Sequence, residues 1–188
     1  LSLMRPRRGI ERDHPLGDGL YLRGHRSRGQ VKRLIAKIEP IGINTDAVTE
    51  AASPGGLTLS APGGELAIWF DGINTLRVTG TGMGLRIRTV MHQPFAGVAY
   101  PQGERRWVIN TRACCLRLGL DPLCGRIEAD APWQAGGTVA RMDFELLPDD
   151  SGRLDVAVDA FQSTWDRPER PGPEAGRAEV VDEWARFV

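Results

Sequence analysis

INTLRVTGTGMGLRIRT, residues 73–89, holds the stretch on which the fold turns. Its glycines, Gly80, Gly82 and Gly84, suggest the loop of a nucleotide site. A dinucleotide loop, however, must run from a strand into a helix, because the helix N-terminus supplies backbone donors and a favourable dipole to the pyrophosphate. Here Leu85, Ile87 and Thr89 alternate with Arg86, Arg88 and Val90, which is the period of a strand. The spacing G-x-G-x-G lacks the third glycine position of the fingerprint, and no Gly-Lys-Ser/Thr follows. The glycines are expected to make a tight hairpin turn between two strands, with positive φ at one or more of them.

Outward from this turn the period-two pattern continues. Runs near 57–60, 65–70, 75–79, 84–91, 95–100, 106–111, 113–120, 123–129, 138–147 and 153–161 read as strands separated by Gly, Pro, Asn and Asp. Met142, Phe144 and Leu146 alternate with Arg141, Asp143 and Glu145; after PDDSG, Leu154, Val156 and Val158 alternate with Asp155 and Asp159. This predicts an antiparallel hairpin with one face buried. In CCLRLGLDPLCGRIEAD, Cys114, Leu116, Leu118 and Leu120 share a side, Asp121-Pro122 is expected to turn the chain, and Ile127 and Ala129 return.

Two segments read as helical. Ser27 and Gln30 have capping-box spacing, and Val31, Leu34, Ile35 and Ile38 then recur at helical intervals until Pro40, which predicts a short helix over about 28–38, with an initial strand as the alternative. Near the end, Val180, Val181, Trp184, Phe187 and Val188 form a helical stripe over 178–188, with Val181, Trp184 and Phe187 as candidates for a partner interface. The expected fold is mainly β, an antiparallel β-sandwich with a short N-terminal helix and a C-terminal helix. The expected divisions are a basic arm at 1–26, the sandwich at 27–165, a Pro/Gly-rich linker at 166–177 and the terminal helix.

At 188 residues the chain is long enough for one domain with a real core. Its apolar runs, such as Leu66–Phe70, are far shorter than a bilayer span, so no membrane segment and a soluble, cytoplasmic protein are expected. LSLM gives way at once to RPRRG, unlike a secretory signal. The zero net charge divides into +7 over residues 1–37 and −7 over the remainder. The basic arm carries no aromatic but Tyr21 and no nucleic-acid motif follows, so contact of Arg5, Arg7, Arg8 and Arg12 with the acidic body is expected instead of nucleic-acid binding. Lys32 and Lys37 are the only lysines among twenty-four cationic residues, a bias in keeping with a GC-rich bacterial genome.

The side-chain chemistry is sparse. Cys114, Cys115 and Cys124 form no CxxC pair and read as small buried hydrophobes of a reducing compartment. His14, His25 and His92 are scattered, so neither metal nor cofactor is expected. Asp143 with Glu145, and Asp155 with Asp159, share strand faces as glycosidase carboxylates do, but on the faces where water alone explains charge. Tryptophans are ligand platforms when polar groups flank them, because an apolar ring face stacks on a sugar while its neighbours bind hydroxyls. Trp69 with Asp71 and Asn74, and Trp133 beside Gln134, fit that pattern and are the candidate ligand-binding residues.

Three stretches, FDGINTLRVTGTGMGLRIR (70–88), RRWVINTRACCLRLGLDPLCGRIEADAPW (105–133) and FELLPDDSGRLDVAVDAF (144–161), together with AEVVDEWARF, resemble the N-terminal β-sandwich of glycogen-debranching-like, six-hairpin glycosidases. The resemblance rests on strand order and turn positions over about residues 55–188. It implies a non-catalytic, carbohydrate-associated module that packs on an (α/α)6-barrel catalytic domain or another helical partner, with an oligosaccharide ligand and homo-oligomerisation as further expectations. In that family the catalytic acids belong to the barrel, so no catalytic residue carries over, and any enzyme containing the chain would be a glycoside hydrolase. The alternative is a lipocalin-like barrel that binds or converts a hydrophobic small molecule in a cavity lined by Met83, Trp107 and Phe144.

Overall fold

The computed structural model describes residues 2–5, 16–17, 19–25, 32–72, 74–89, 98–102, 106–110, 117–130 and 143–161. They form fourteen strands: β1 (Ser2–Met4), β2 (Leu20–His25), β3 (Lys32–Ile41), β4 (Thr49–Ser53), β5 (Gly56–Ala61), β6 (Gly64–Phe70), β7 (Thr75–Thr81), β8 (Gly84–Thr89), β9 (Val98–Gln102), β10 (Arg106–Asn110), β11 (Arg117–Cys124), β12 (Arg126–Asp130), β13 (Asp143–Leu147) and β14 (Arg153–Phe161). Two sheets result, ordered β1-β2-β3-β8-β13-β12 and β4-β5-β6-β7-β14-β11-β10-β9, with every pairing among these strands antiparallel. A single turn of 3-10 helix, Thr45–Ala47, lies between β3 and β4.

Alternation along each strand supplies the core. From the eight-stranded sheet Leu66, Ile68, Leu76, Val78, Val156 and Val158 are buried, and from the six-stranded sheet Leu22, Ile38, Leu85, Ile87, Phe144 and Leu146 meet them. Among the described residues the sheets do not close into a barrel. Met83 and Phe144 are fully buried in the core cluster, and the Trp107 ring stands edge-on to Phe144 with centroids 5.8 Å apart. The residues expected to line a lipocalin cavity are therefore packed against the core, and the barrel alternative is set aside.

GTGMG does join two strands, and Gly82 has the expected positive φ of 63°. It is not a hairpin. β7 belongs to one sheet and β8 to the other, so the segment carries the chain across the sandwich. The same correction applies to the two hairpins expected downstream. β13 pairs with β8 and β12, whereas β14 pairs with β7 and β11, so PDDSG is a second crossing. Asp121-Pro122 does not turn: β11 runs through it and the chain crosses at Gly125, where φ is 96°. Pro122 is tolerated because β10 pairs with β11 only as far as Leu120, and because the register shifts between Pro122 and Cys124.

The three crossings stack at one rim. Gly82 N–H donates to the Gly152 carbonyl at 2.8 Å. Asp149 collects the N–H groups of Ser151 and Arg153, both at 2.9 Å, and the Cys124 thiol at 2.8 Å. A Cβ on Gly82 would lie 2.1 Å from the Gly63 carbonyl oxygen, so the β5–β6 turn also presses on this rim.

Of the helix expected over 28–38, residues 32–38 belong instead to β3, and 28–31 lie outside the described residues. The register of β2 against β3 jumps from Leu22↔Ala36 to Arg23↔Leu34, leaving Ile35 as the extra residue of a bulge. The bulge changes which face the side chains take, so Ile35, Ala36 and Ile38 join the core while Leu34 packs with Tyr21 in a separate cluster. That phase change produced the apolar spacing of a helix in the sequence. β1 and β2 lie within the expected basic arm, and β4 is a further strand that its TEAAS sequence did not signal. Of the arginines expected to contact the acidic body, Arg5 pairs with Glu50 of β4, and Arg7, Arg8 and Arg12 lie outside the described residues. The linker, the C-terminal helix, and Trp133, Val181, Trp184 and Phe187 lie outside the described residues. Among the described residues no helix is long and apolar enough to cross a membrane.

Candidate functional site

Register decides what stands beside the sequence-selected residues. On the outer face of the eight-stranded sheet Trp69 of β6 lies directly opposite Arg77 of β7, and Arg77 lies opposite Ala157 of β14. The Arg77 guanidinium grips Asp155 through two nitrogens, Nη2 donating to Oδ2 at 2.6 Å, and stands 3.9 Å from Asp71. The hydrogen bonds to Asp155 hold the Arg77 pKa above its ordinary value, outweighing the opposing effect of burial, and the charges of Asp155 and Asp71 add to it.

Asp71 thus stands beside the Arg77 guanidinium, and Trp69 lies on the strand position across from it. Asp71 is only 2% exposed, which makes it a structural anion of the β6–β7 turn and not a group offered to solvent. Its N–H donates to the Thr75 carbonyl at 2.9 Å and so closes that turn. Trp69 is half-buried, with its indole nitrogen inside. Asn74 is exposed; its carbonyl accepts the Ala160 N–H at 2.8 Å, which fixes the backbone and leaves the side chain outward. Thr75 Oγ1 donates to the buried Asp159 at 2.9 Å. A ligand at this end of the sheet would meet Asn74 first and part of the Trp69 ring second.

The outer face of the six-stranded sheet carries a lattice of ion pairs that single residues did not reveal. Arg88 of β8 stands opposite Lys37 of β3 on one side and Asp143 of β13 on the other; Arg86 stands between Glu39 and Glu145. Arg88 pairs with Asp143 at 3.1 Å and with Glu39 at 3.5 Å, Arg86 with Glu145 at 2.6 Å, and Lys37 with Glu39 at 2.8 Å. Burial works against the charge of Glu39, yet Lys37, Arg88 and Arg86 together hold its carboxyl below the usual range. The Asp143 hydrogen bond raises the Arg88 pKa. Asp143 and Glu145, compared at first with a glycosidase pair, are therefore each gripped by an arginine, and Asp143 is buried instead of lying on a solvated face. The signal for this lattice was present in the alternating Arg86 and Arg88 and the alternating Asp143 and Glu145, but the partners follow only from register.

A groove of about 850 Å³ opens beside β3, lined by Leu20, Val48 and Leu59 and by the charged Arg5, Lys37 and Arg88. Its cations are engaged: Arg5 by Glu50, Lys37 by Glu39 and the Leu16 carbonyl, Arg88 by Asp143 and Glu39. Among the described residues no group of three or more His, Cys, Asp or Glu is placed to hold a metal ion.

No protein-family model matches the sequence, and no curated protein matches it. The functional reading therefore rests on the architecture and on the geometry just described.

Proposed function

We propose that the chain is a non-catalytic, carbohydrate-associated β-sandwich module that supports the substrate cleft of a glycosidase catalytic domain. The observation that carries this reading is the state of the outer-face carboxylates. Asp143, Glu145 and Asp155 are each clamped by an arginine across a strand pair. A carboxylate whose oxygens are taken up by an arginine on the neighbouring strand stiffens the sheet and has fewer lone pairs to offer a substrate. The paired sheets then serve as a rigid support, and the end of the eight-stranded sheet that bears Trp69 and exposed Asn74 is the part offered to an oligosaccharide. Catalysis in this reading belongs to an (α/α)6 barrel.

A glycan array probed with the purified full chain tests the reading, with Asn74→Ala as the comparison. Binding to oligosaccharides is expected, weakened by about three- to tenfold in N74A, the loss of one side-chain hydrogen bond. The backbone bond from Ala160 to residue 74 survives that substitution, so the fold is retained. Absence of binding to every glycan, together with failure to co-purify with a co-expressed (α/α)6 glycoside hydrolase barrel, would overturn the proposal.

A further inference from the structure

The strand orders leave four sheet edges among the described residues: β1 and β12 in one sheet, β4 and β9 in the other. An edge strand presents unpaired N–H and C=O groups, and sheets ordinarily blunt such edges with short strands, charge or proline. Three of the four are blunted in these ways. β1 has three residues, β12 reads RIEAD with charges at Arg126, Glu128 and Asp130, and β9 carries Pro101 within VAYPQ.

β4 is different. It reads TEAAS, contains no proline, and all five of its residues are exposed. Its one charge, Glu50, lies opposite Leu59 on the inward-facing row, where a bare charge would discourage pairing, but it is neutralised by its ion pair with Arg5. Ala51 lies on the other row, opposite Thr58, which continues across the outer face to Ala67 and Thr79.

We infer that β4 is a pairing edge and that its partner is the β4 of a second copy of this chain, joined antiparallel about a two-fold axis. Directly opposite residues of antiparallel strands point to the same face, so such an axis must pass through a residue paired with its own copy. Centred on Glu50 it would set two carboxylates against each other, which is unfavourable. Centred on Ala51 it pairs all five residues, with Glu50 facing Ala52 and Thr49 facing Ser53. The small Ala51 side chains then meet at the axis, and the eight-stranded sheets of the two copies become continuous. One strand pair of five residue pairs makes a small contact, so the dimer forms and dissociates with concentration.

The register gives a charge-swap test. Sedimentation velocity of the full chain is expected to show a concentration-dependent monomer–dimer equilibrium. Ala51→Lys and Ala51→Glu each set like charges at the axis and raise the dimer dissociation constant by at least about fivefold. An equimolar mixture of A51K and A51E restores dimers, which also shows that both variants are folded. A wild-type chain that is monomeric at every concentration, a dimer unchanged in A51K, or a mixture that stays as dissociated as each variant alone would overturn the inference.

Discussion

Cys124 donates its thiol proton to Asp149, and the consequences for the two residues are opposite. The hydrogen bond and the adjacent negative charge raise the Cys124 pKa, while the Cys124, Ser151 and Arg153 donors hold the Asp149 carboxyl well below the usual carboxylate range. The thiolate is the reactive form, so Cys124 is expected to react slowly with iodoacetamide at pH 8. Asp149→Ala should bring its pKa towards the ordinary thiol value and speed alkylation, as read by peptide mass spectrometry. Equal rates in the two proteins would refute the assignment. Because its folded pKa is depressed, Asp149 contributes stability above the unfolded carboxylate pKa of roughly 3.9 and loses it as pH falls through the folded value. Wild type and D149A are therefore expected to differ in denaturant midpoint at pH 7 and to converge in strong acid. None of this was legible in PDDSG, since an aspartate in a turn does not announce which side chain from another crossing will reach it.

At the scale of the element, period-two alternation told which residues face inward but not which strand lies alongside. Phe144, Leu146, Val156 and Val158 lie on the face expected to be buried, and all are buried. The pairing of 142–146 with 154–158 was not recovered, because a crossing between sheets and a hairpin show the same alternation on either side of the same turn residues. β3 was misread for a different reason: the bulge at Ile35 changes phase within one strand. Arg77 is a direct test of the pairing that does occur. Arg77→Ala removes the clamp on Asp155 and the charge beside buried Asp71, and should cost about 2 kcal/mol in urea unfolding. A change below about 0.5 kcal/mol, the size of an ordinary surface substitution, would mean that the clamp contributes nothing. Gly82→Ala tests the crossing, since a positive φ costs about 1 kcal/mol and the Cβ additionally collides with the Gly63 carbonyl. Gly42→Ala, also at positive φ but with no atom within 4 Å, should cost only the first part. Equal costs at the two sites would contradict the close approach.

At the scale of the whole molecule, the crossings interleave the two sheets. β3, β7, β8, β11 and β13 are each followed in sequence by a strand of the opposite sheet, so neither sheet can form its full strand set without the other. Tryptophan fluorescence and far-UV circular dichroism should consequently report one coincident unfolding transition. Two separated midpoints would show the sheets to be independent. The strands that pair are distant in sequence, Arg77 meeting Asp155 across 78 residues, so refolding is expected on the millisecond-to-second scale of high-contact-order β proteins. The two-sheet class could be read from the number and spacing of short alternating runs. The order of strands could not, because it depends on where the chain changes sheet. The stacked crossings also divide the molecule's tolerance for change. Gly82 is tied to Gly152 and pressed against Gly63, so an added residue at any one of these turns would shift its neighbours as well. The turns at Gly42 and Gly72 differ, since these two glycines have nothing within 4 Å of where a Cβ would stand. Variation in length, and any specificity that comes with it, has room at these turns and not among the stacked crossings.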